Sequence, residues 1–296
     1  MELQQLKDNI YYIPNRTNIG VIRNDEKVIL IDSGIDDDTG RKILRTLQKN
    51  DLYPVAIINT HSHADHIGGN SYIQKKTGCK IYTSPIEDSI TMCPYLEPLY
   101  LFSGATPIAD LQNKFLMAKP SKVDYTVKNN QKITVAGIEI TVIPLPGHSL
   151  NQIGIVVDDI CFCADAVLEK EVFAKHKIPF NIDIAKQRVT LQLLSDSSYS
   201  YFVPSHAAPL KDISQLTNPY LEVLDEIDNI ILQVLTGEKT TEEIIKKLLD
   251  NYNVTITRTG QYYLFKTITM AHLSSLSEGG KVTVIIKDNI LYWKRI

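Results

Sequence analysis

At 296 residues and 44% hydrophobic side chains, the chain can bury a substantial core and divide into one large and one small domain. A net charge of −3 is unlike the surface of a dedicated nucleic-acid binder, and no apolar run reaches the ~18 residues of a bilayer span. The opening "MELQQLKDNIYYI" lacks the basic-then-apolar order of a secretory signal, and Cys79, Cys93, Cys161 and Cys163 match neither a CxxC redox pair nor a zinc knuckle, so reduced thiols in a cytoplasmic protein are expected.

In chain order, "NIGVIRNDEKVILIDSG" reads as two strands, Ile19–Ile22 and Val28–Ile31, about the turn Asn24–Glu26. "DDDTGRKILRTLQKN" follows as a helix, acidic at its start, with Ile43, Leu44 and Leu47 at helical spacing. "PVAIINT" is a buried strand that delivers the chain to His61; Ser71–Thr77 is another helix and "KIYTS" another strand. This alternation predicts an α/β layered domain. Residues 85–124 break it with five prolines and interleaved aromatics, the composition of a lid-like insertion. Its Tyr and Phe residues could line an entrance or pack against the body of the domain. "KITVAGIEITVIPLPG" is a hairpin about Ala136-Gly137, and "IGIVVDDICFCADAV" is strand-like. Beyond Asp212 helices precede a final strand–turn–strand, the order of a winged-helix module.

The chemistry concentrates in "IINTHSHADHIGGN". His61 and His63 can project alike from extended backbone, and Asp65 and His66 would sit in the first turn of the next helix. Three imidazoles this close repel one another if protonated, and a bound cation satisfies all of them. Further donors follow strands in similar settings: His148 in "PLPGHS", Asp165 in "CFCADA" and His206 in "VPSHAAP". Asp32, after "VILI", could accept a hydrogen bond from a ligand histidine. Cys161 and Cys163 share a strand face with Asp165, and small-residue packing is the expectation for both. His176 is read as a loop residue with substrate contact as the alternative, and His272 as structural.

"THSHADHIGG", then "PGHS", "CADA" and "PSHAAP" in that order, resembles the metallo-β-lactamase superfamily across roughly residues 1–210. The resemblance implies an α/β (α+β), four-layer αββα sandwich over 1–212, and the element order beyond it makes 213–296 a helical, winged-helix-like domain. It implies two divalent metal ions, zinc first with manganese or iron as competitors. His61, His63 and His148 would hold the first ion; Asp65, His66 and His206 the second; Asp165 would bridge them. Two ions ~3.5–4 Å apart can share a water as hydroxide at neutral pH, which Asp65 would orient as catalytic residue. Ala164 stands where the superfamily commonly has Gly, and the residues after His148 and around His206 lack glyoxalase II patterns. The expectation is a hydrolase of a small-molecule ester, thioester or lactone, off the membrane, with a homodimer contact as one use of the C-terminal module. A nuclease aided by that module is the alternative, and a mono-iron sulfur dioxygenase would not need the full ligand set.

Overall fold

The computed structural model describes residues 1–296, with the side chains of residues 174–176 outside the description. His176, read from sequence as a second-tier residue, therefore lies outside the described side chains. The first sheet takes seven strands in chain order: β1 (Gln4–Lys7), β2 (Ile10–Ile13), β3 (Ile19–Asn24), β4 (Lys27–Ile31), β5 (Tyr53–Ile58), β6 (Lys80–Thr83) and β7 (Tyr125–Thr126). β1 through β4 are antiparallel, and β4 through β7 run parallel. Between them lie α1 (Asp37–Gln48), α2 (Ala64–Ile67) and α3 (Asn70–Thr77), and the insertion carries α4 (Glu87–Met92) and α5 (Leu96–Leu101). The second sheet has the order β12-β11-β10-β9-β8, from β8 (Lys132–Val135), β9 (Ile138–Pro144), β10 (Ile153–Val157), β11 (Ile160–Ala164) and β12 (Tyr201–Pro204). α6 (Lys170–His176) and α7 (Ile184–Ser195) connect β11 to β12. α8 (Ser214–Val234), α9 (Thr241–Asn251), α10 (Thr259–Glu278) and the hairpin β13 (Val282–Lys287) and β14 (Ile290–Arg295) complete the chain.

Strand alternation builds the layers. Along β4, Val28 and Leu30 pack outward with Ile43, Leu47 and Ile73 of α1 and α3. Ile29 and Ile31 point inward and meet Val142, Ile155 and Phe162 of the second sheet. On that sheet's far face, Cys161 and Cys163 pack with Leu191 and Leu194 of α7 and Tyr220 and Leu224 of α8. The result is the expected αββα sandwich, and both cysteines are apolar packing, as read from the sequence.

The three C-terminal helices and hairpin follow the anticipated order, but α8 and α10 share a core with the sandwich through Leu216, Tyr220 and Ala271. An ionic network reinforces the join. Arg188 of α7 pairs with Asp225 at 2.6 Å and Asp228 at 2.8 Å on α8, and Asp228 also meets Nδ1 of buried His272 on α10 at 2.7 Å. His272 is thus structural. Among the described residues no helix is long and apolar enough to cross a membrane.

Three parts of the fold are not signalled by the sequence pattern. β1 and β2 carry too few alternating apolar residues to stand out. The Pro-rich insertion forms two short helices. α7 buries Gln187 and Thr190, which hydrogen-bond the carbonyls of Ala166 and Pro146, and these polar positions erase its apolar stripe. Replacing Asp228 with Ala leaves Arg188 and His272 without their shared partner, and should cost about 2–3 kcal/mol in urea unfolding.

Candidate metal centre

The loops after β5, β9, β11 and β12 open on one edge of the two sheets, and each delivers donors there. His61 Nε2 and His148 Nε2 lie 3.0 and 2.9 Å from His63 Nδ1. Three ring nitrogens so placed approach the spacing of about 3.3 Å expected around a tetrahedral ion with ~2.0–2.1 Å bonds. Beside them, Asp65, His66 and His206 bring one donor atom each within 4.8 Å of the others, as do His61, His66 and Asp165. Asp165 sits between the groups. Its Oδ2 is 3.5 Å from His148 Nε2 and 3.2 Å from His206 Nε2, while its Oδ1 is 3.3 Å from His66 Nε2. All seven residues singled out in the sequence converge.

The far side of each ring is fixed by protein. His66 Nδ1 meets Asp32 Oδ2 at 2.8 Å, and Asp32 also accepts from the Thr60 backbone and hydroxyl. Asp32 is therefore the orienting carboxylate that its position after "VILI" indicated. His148 Nδ1 reaches the Phe180 carbonyl at 2.9 Å, and His206 Nδ1 reaches the Arg16 carbonyl at 2.7 Å. Asp65 Oδ2 accepts from Thr17 Oγ1 at 2.9 Å. These contacts leave the inner nitrogens aimed at one another, and His66 Nε2 and Asp165 Oδ1, buried and 3.3 Å apart, face each other without a well-formed hydrogen bond. Orphaned donors of this kind, arranged in two groups sharing a carboxylate, fit a pair of cations.

The electrostatics divide the same way. Burial keeps His61 and His148 below the usual imidazole range and pushes His63 down to about 3, so their lone pairs are free. Asp165 raises His206 to about 10. Burial opposes a charge on His66, yet Asp165, Asp32 and Asp65 outweigh it and hold that ring well above the ordinary range. Burial likewise opposes ionised Asp165, and His206 and His66 hold it well below the usual carboxylate range.

Gly68 and Gly69 serve close approach of the backbone. A Cβ would stand 2.0 Å from the Ile35 carbonyl oxygen at Gly68 and 2.3 Å from that of Ser33 at Gly69. What lies above them is the loop after β4.

The residue that sequence reasoning missed is Glu87. It is 1% exposed, and its two oxygens divide between the two ligand-bearing loops. Oε2 accepts from the Ser62 amide at 3.0 Å and hydroxyl at 2.5 Å, between His61 and His63. Oε1 accepts from the Ser149 hydroxyl at 2.7 Å and the Asn151 amide at 3.0 Å, just after His148. Its only sequence signal is a carboxylate in an apolar, Pro-rich stretch. The backbone before it is strained: Ile86 has φ +73°, and Ala164 before Asp165 has φ +51°. Glu87→Gln should weaken metal binding about 10- to 100-fold in a chelator competition while the chain stays folded. Ile86→Gly, which relieves a left-handed β-branched residue, should raise stability by about 1 kcal/mol in thermal unfolding.

A cavity of about 580 Å³ opens on the cluster and is lined by His63, Asp65, His148, Asp165 and His206. Phe115 of the insertion and Leu264 and Phe265 of α10 also line it. Of the aromatic residues of the insertion, Phe115 thus faces the site, whereas Phe102 packs on Tyr263 of α10 with ring centroids 5.0 Å apart.

Comparison with known proteins gives a consistent placement. The model of the metallo-beta-lactamase superfamily matches residues 12–206. An uncharacterized Mycobacterium tuberculosis protein is 29% identical over 136 residues, 43% of this chain and 58% of that relative, so the match spans little more than half the relative's length. A probable metallo-hydrolase of Bacillus subtilis, YqgX, is 25% identical over 73% of this chain and 91% of its own. A hydroxyacylglutathione hydrolase of Vibrio campbellii is 28% identical over 52% and 48%. A metallo-beta-lactamase family protein from Thermus thermophilus shares the fold with TM-score 0.75 at 19% identity, covering 97% of this chain and 99% of its own. The fold likeness therefore extends past residue 206 into the C-terminal helices. The chain belongs to the metallo-β-lactamase superfamily.

Proposed function

We propose that the chain is a metal-dependent hydrolase that binds two divalent ions and acts on a small-molecule ester, thioester or lactone. The observation that carries this reading is the sharing of Asp165 between two donor groups, with His66 Nε2 and Asp165 Oδ1 orphaned in the interior. In this reading His61, His63 and His148 hold one ion, Asp65, His66 and His206 the other, and Asp165 both. Five imidazoles and two carboxylates suit zinc, with manganese and iron as competitors. Such ions, when bound, supply a water whose pKa falls from 15.7 toward ~7 and polarise the oxygen of the scissile bond.

The residues of the chain do the rest. Asp32 and the carbonyls of Phe180 and Arg16 fix the tautomers of His66, His148 and His206. Asp65 lines the cavity, held by Thr17, and is the carboxylate placed to orient the attacking water. Glu87 keeps the two ligand loops in register. The division into 1–212 and 213–296 belongs to the same proposal, supported by the three helices and hairpin after β12 and qualified by their shared core.

Elemental analysis of protein purified without chelator should give close to two metal atoms per chain. Chelation should abolish hydrolysis in a screen of thioesters, lactones and phosphodiesters, and zinc or manganese should restore it. Asp165→Ala should lose turnover and metal together. Unchanged activity in that variant sinks the bridging role, and absence of metal after incubation with zinc or manganese sinks the whole reading. A single iron per chain points instead to dioxygenase chemistry.

A further inference from the structure

Resting on the hydrolase reading, the geometry points to a substrate with a flexible apolar acyl arm, seated in a cleft whose far wall is helix α10. Three segments distant in sequence converge on the cavity and contribute apolar groups there. The insertion gives Phe115 and Leu116, the stretch around α6 gives Leu168 and Val172, and α10 gives Leu264 and Phe265. The wall begins at the metal ligands themselves. The Phe180 ring lies 5.6 Å from that of His63 and 5.9 Å from that of His148, while its carbonyl orients His148. From Phe180 the apolar surface is continuous through Ile178 to Ile268 and Phe265, which pack in one cluster.

The polar groups around the cavity constrain the occupant further. Away from the metal-ligating residues, Glu169 and Glu171 bring carboxylates to it, burial pushes the Glu97 carboxyl up to about 8, and among the described residues Arg16 is its one cation. A polyanion needs a track of cations matched to its phosphates, and the described lining offers a single one, Arg16. An uncharged chain loses nothing to these carboxylates and gains the hydrophobic transfer term. A volume of about 580 Å³ lies within the usual range for small-molecule sites. The carbonyl end of such a substrate lies at the ligand cluster, and its arm lies between Phe115 and α10. Helix α10 thereby determines specificity without touching the reacting bond.

The test uses the full chain as purified and a series of uncharged, non-hydrolysable S-alkyl thioethers of N-acetylcysteamine from ethyl to decyl, titrated by calorimetry. Affinity should rise by about threefold to fourfold per methylene until the cleft is filled, the factor that corresponds to ~0.8 kcal/mol each. Phe115→Ser and Leu264→Ser should each flatten that dependence. Phe115 is 59% exposed, so its variant tests the cleft without risk to the fold. A flat series in the unaltered protein overturns the assignment, and so does an unchanged slope in both variants. Binding to a single-stranded oligonucleotide in preference to the decyl compound also overturns it. Because no turnover is read, a steep series supports the cleft even if every hydrolysis assay fails, and a flat series refutes it even if metal-dependent hydrolysis is found.

Discussion

The structure depends on one electrostatic constraint: five imidazoles and two carboxylates point their lone pairs into a small, water-poor volume. Without positive charge between them such an arrangement is unfavourable, since burial has taken water from much of the cluster and only Asp165 reaches across to the rings of His66, His148 and His206. Part of the demand falls on Asp165 and its neighbours, which favour the charged form of His66 and His206. The rest is met from behind. Every ring whose outer nitrogen is tied to Asp32, Phe180 or Arg16 has lost the freedom to turn away. The donors therefore stay converged in the absence of what they converge on.

Holding that geometry has a backbone cost, and it falls next to the carboxylates. Asp32 itself has φ +64°, Ala164 precedes Asp165 with φ +51°, and Ile86 precedes Glu87 with φ +73°. Left-handed conformations at non-glycine residues persist only where surrounding structure over-determines them. Here the surroundings are the parallel pairings of β4 with β5, β5 with β6 and β11 with β12: Asp32 directly follows β4, Ala164 ends β11, and Ile86 comes just after β6. The two sheets thus act as anvils for three sharp turns, each aiming an oxygen at an imidazole or at a ligand loop.

Much of this was legible in the sequence. HxHxDH after an apolar strand, and single His or Asp residues after later strands, encode the donors, because metal ligation demands particular side chains at particular spacings. Asp32 was legible for a similar reason, as a carboxylate ending a buried strand. Backbone carbonyls carry no such mark, so the roles of Phe180 and Arg16 were invisible. Glu87 was hidden by its setting among prolines, and α7 by its buried Gln187 and Thr190. The contribution of α10 to the cavity is a matter of how distant segments dock, which no local pattern records.

The position of Glu87 has a consequence for how such a protein can change. Insertions over an active site are commonly regarded as interchangeable parts, swapped to acquire new substrates while the catalytic scaffold stays intact. In this chain the clamp that joins the HxH loop to the His148 loop is itself supplied by the insertion. Exchanging 85–124 for another segment would remove the clamp along with the cavity wall. Diversification is then channelled to the cavity walls that do not hold the ligand loops, the segment around Phe115 and the face of α10 that carries Leu264 and Phe265. A lineage built this way can retune what it accepts by small steps, whereas wholesale loop replacement must first rebuild its metal chemistry.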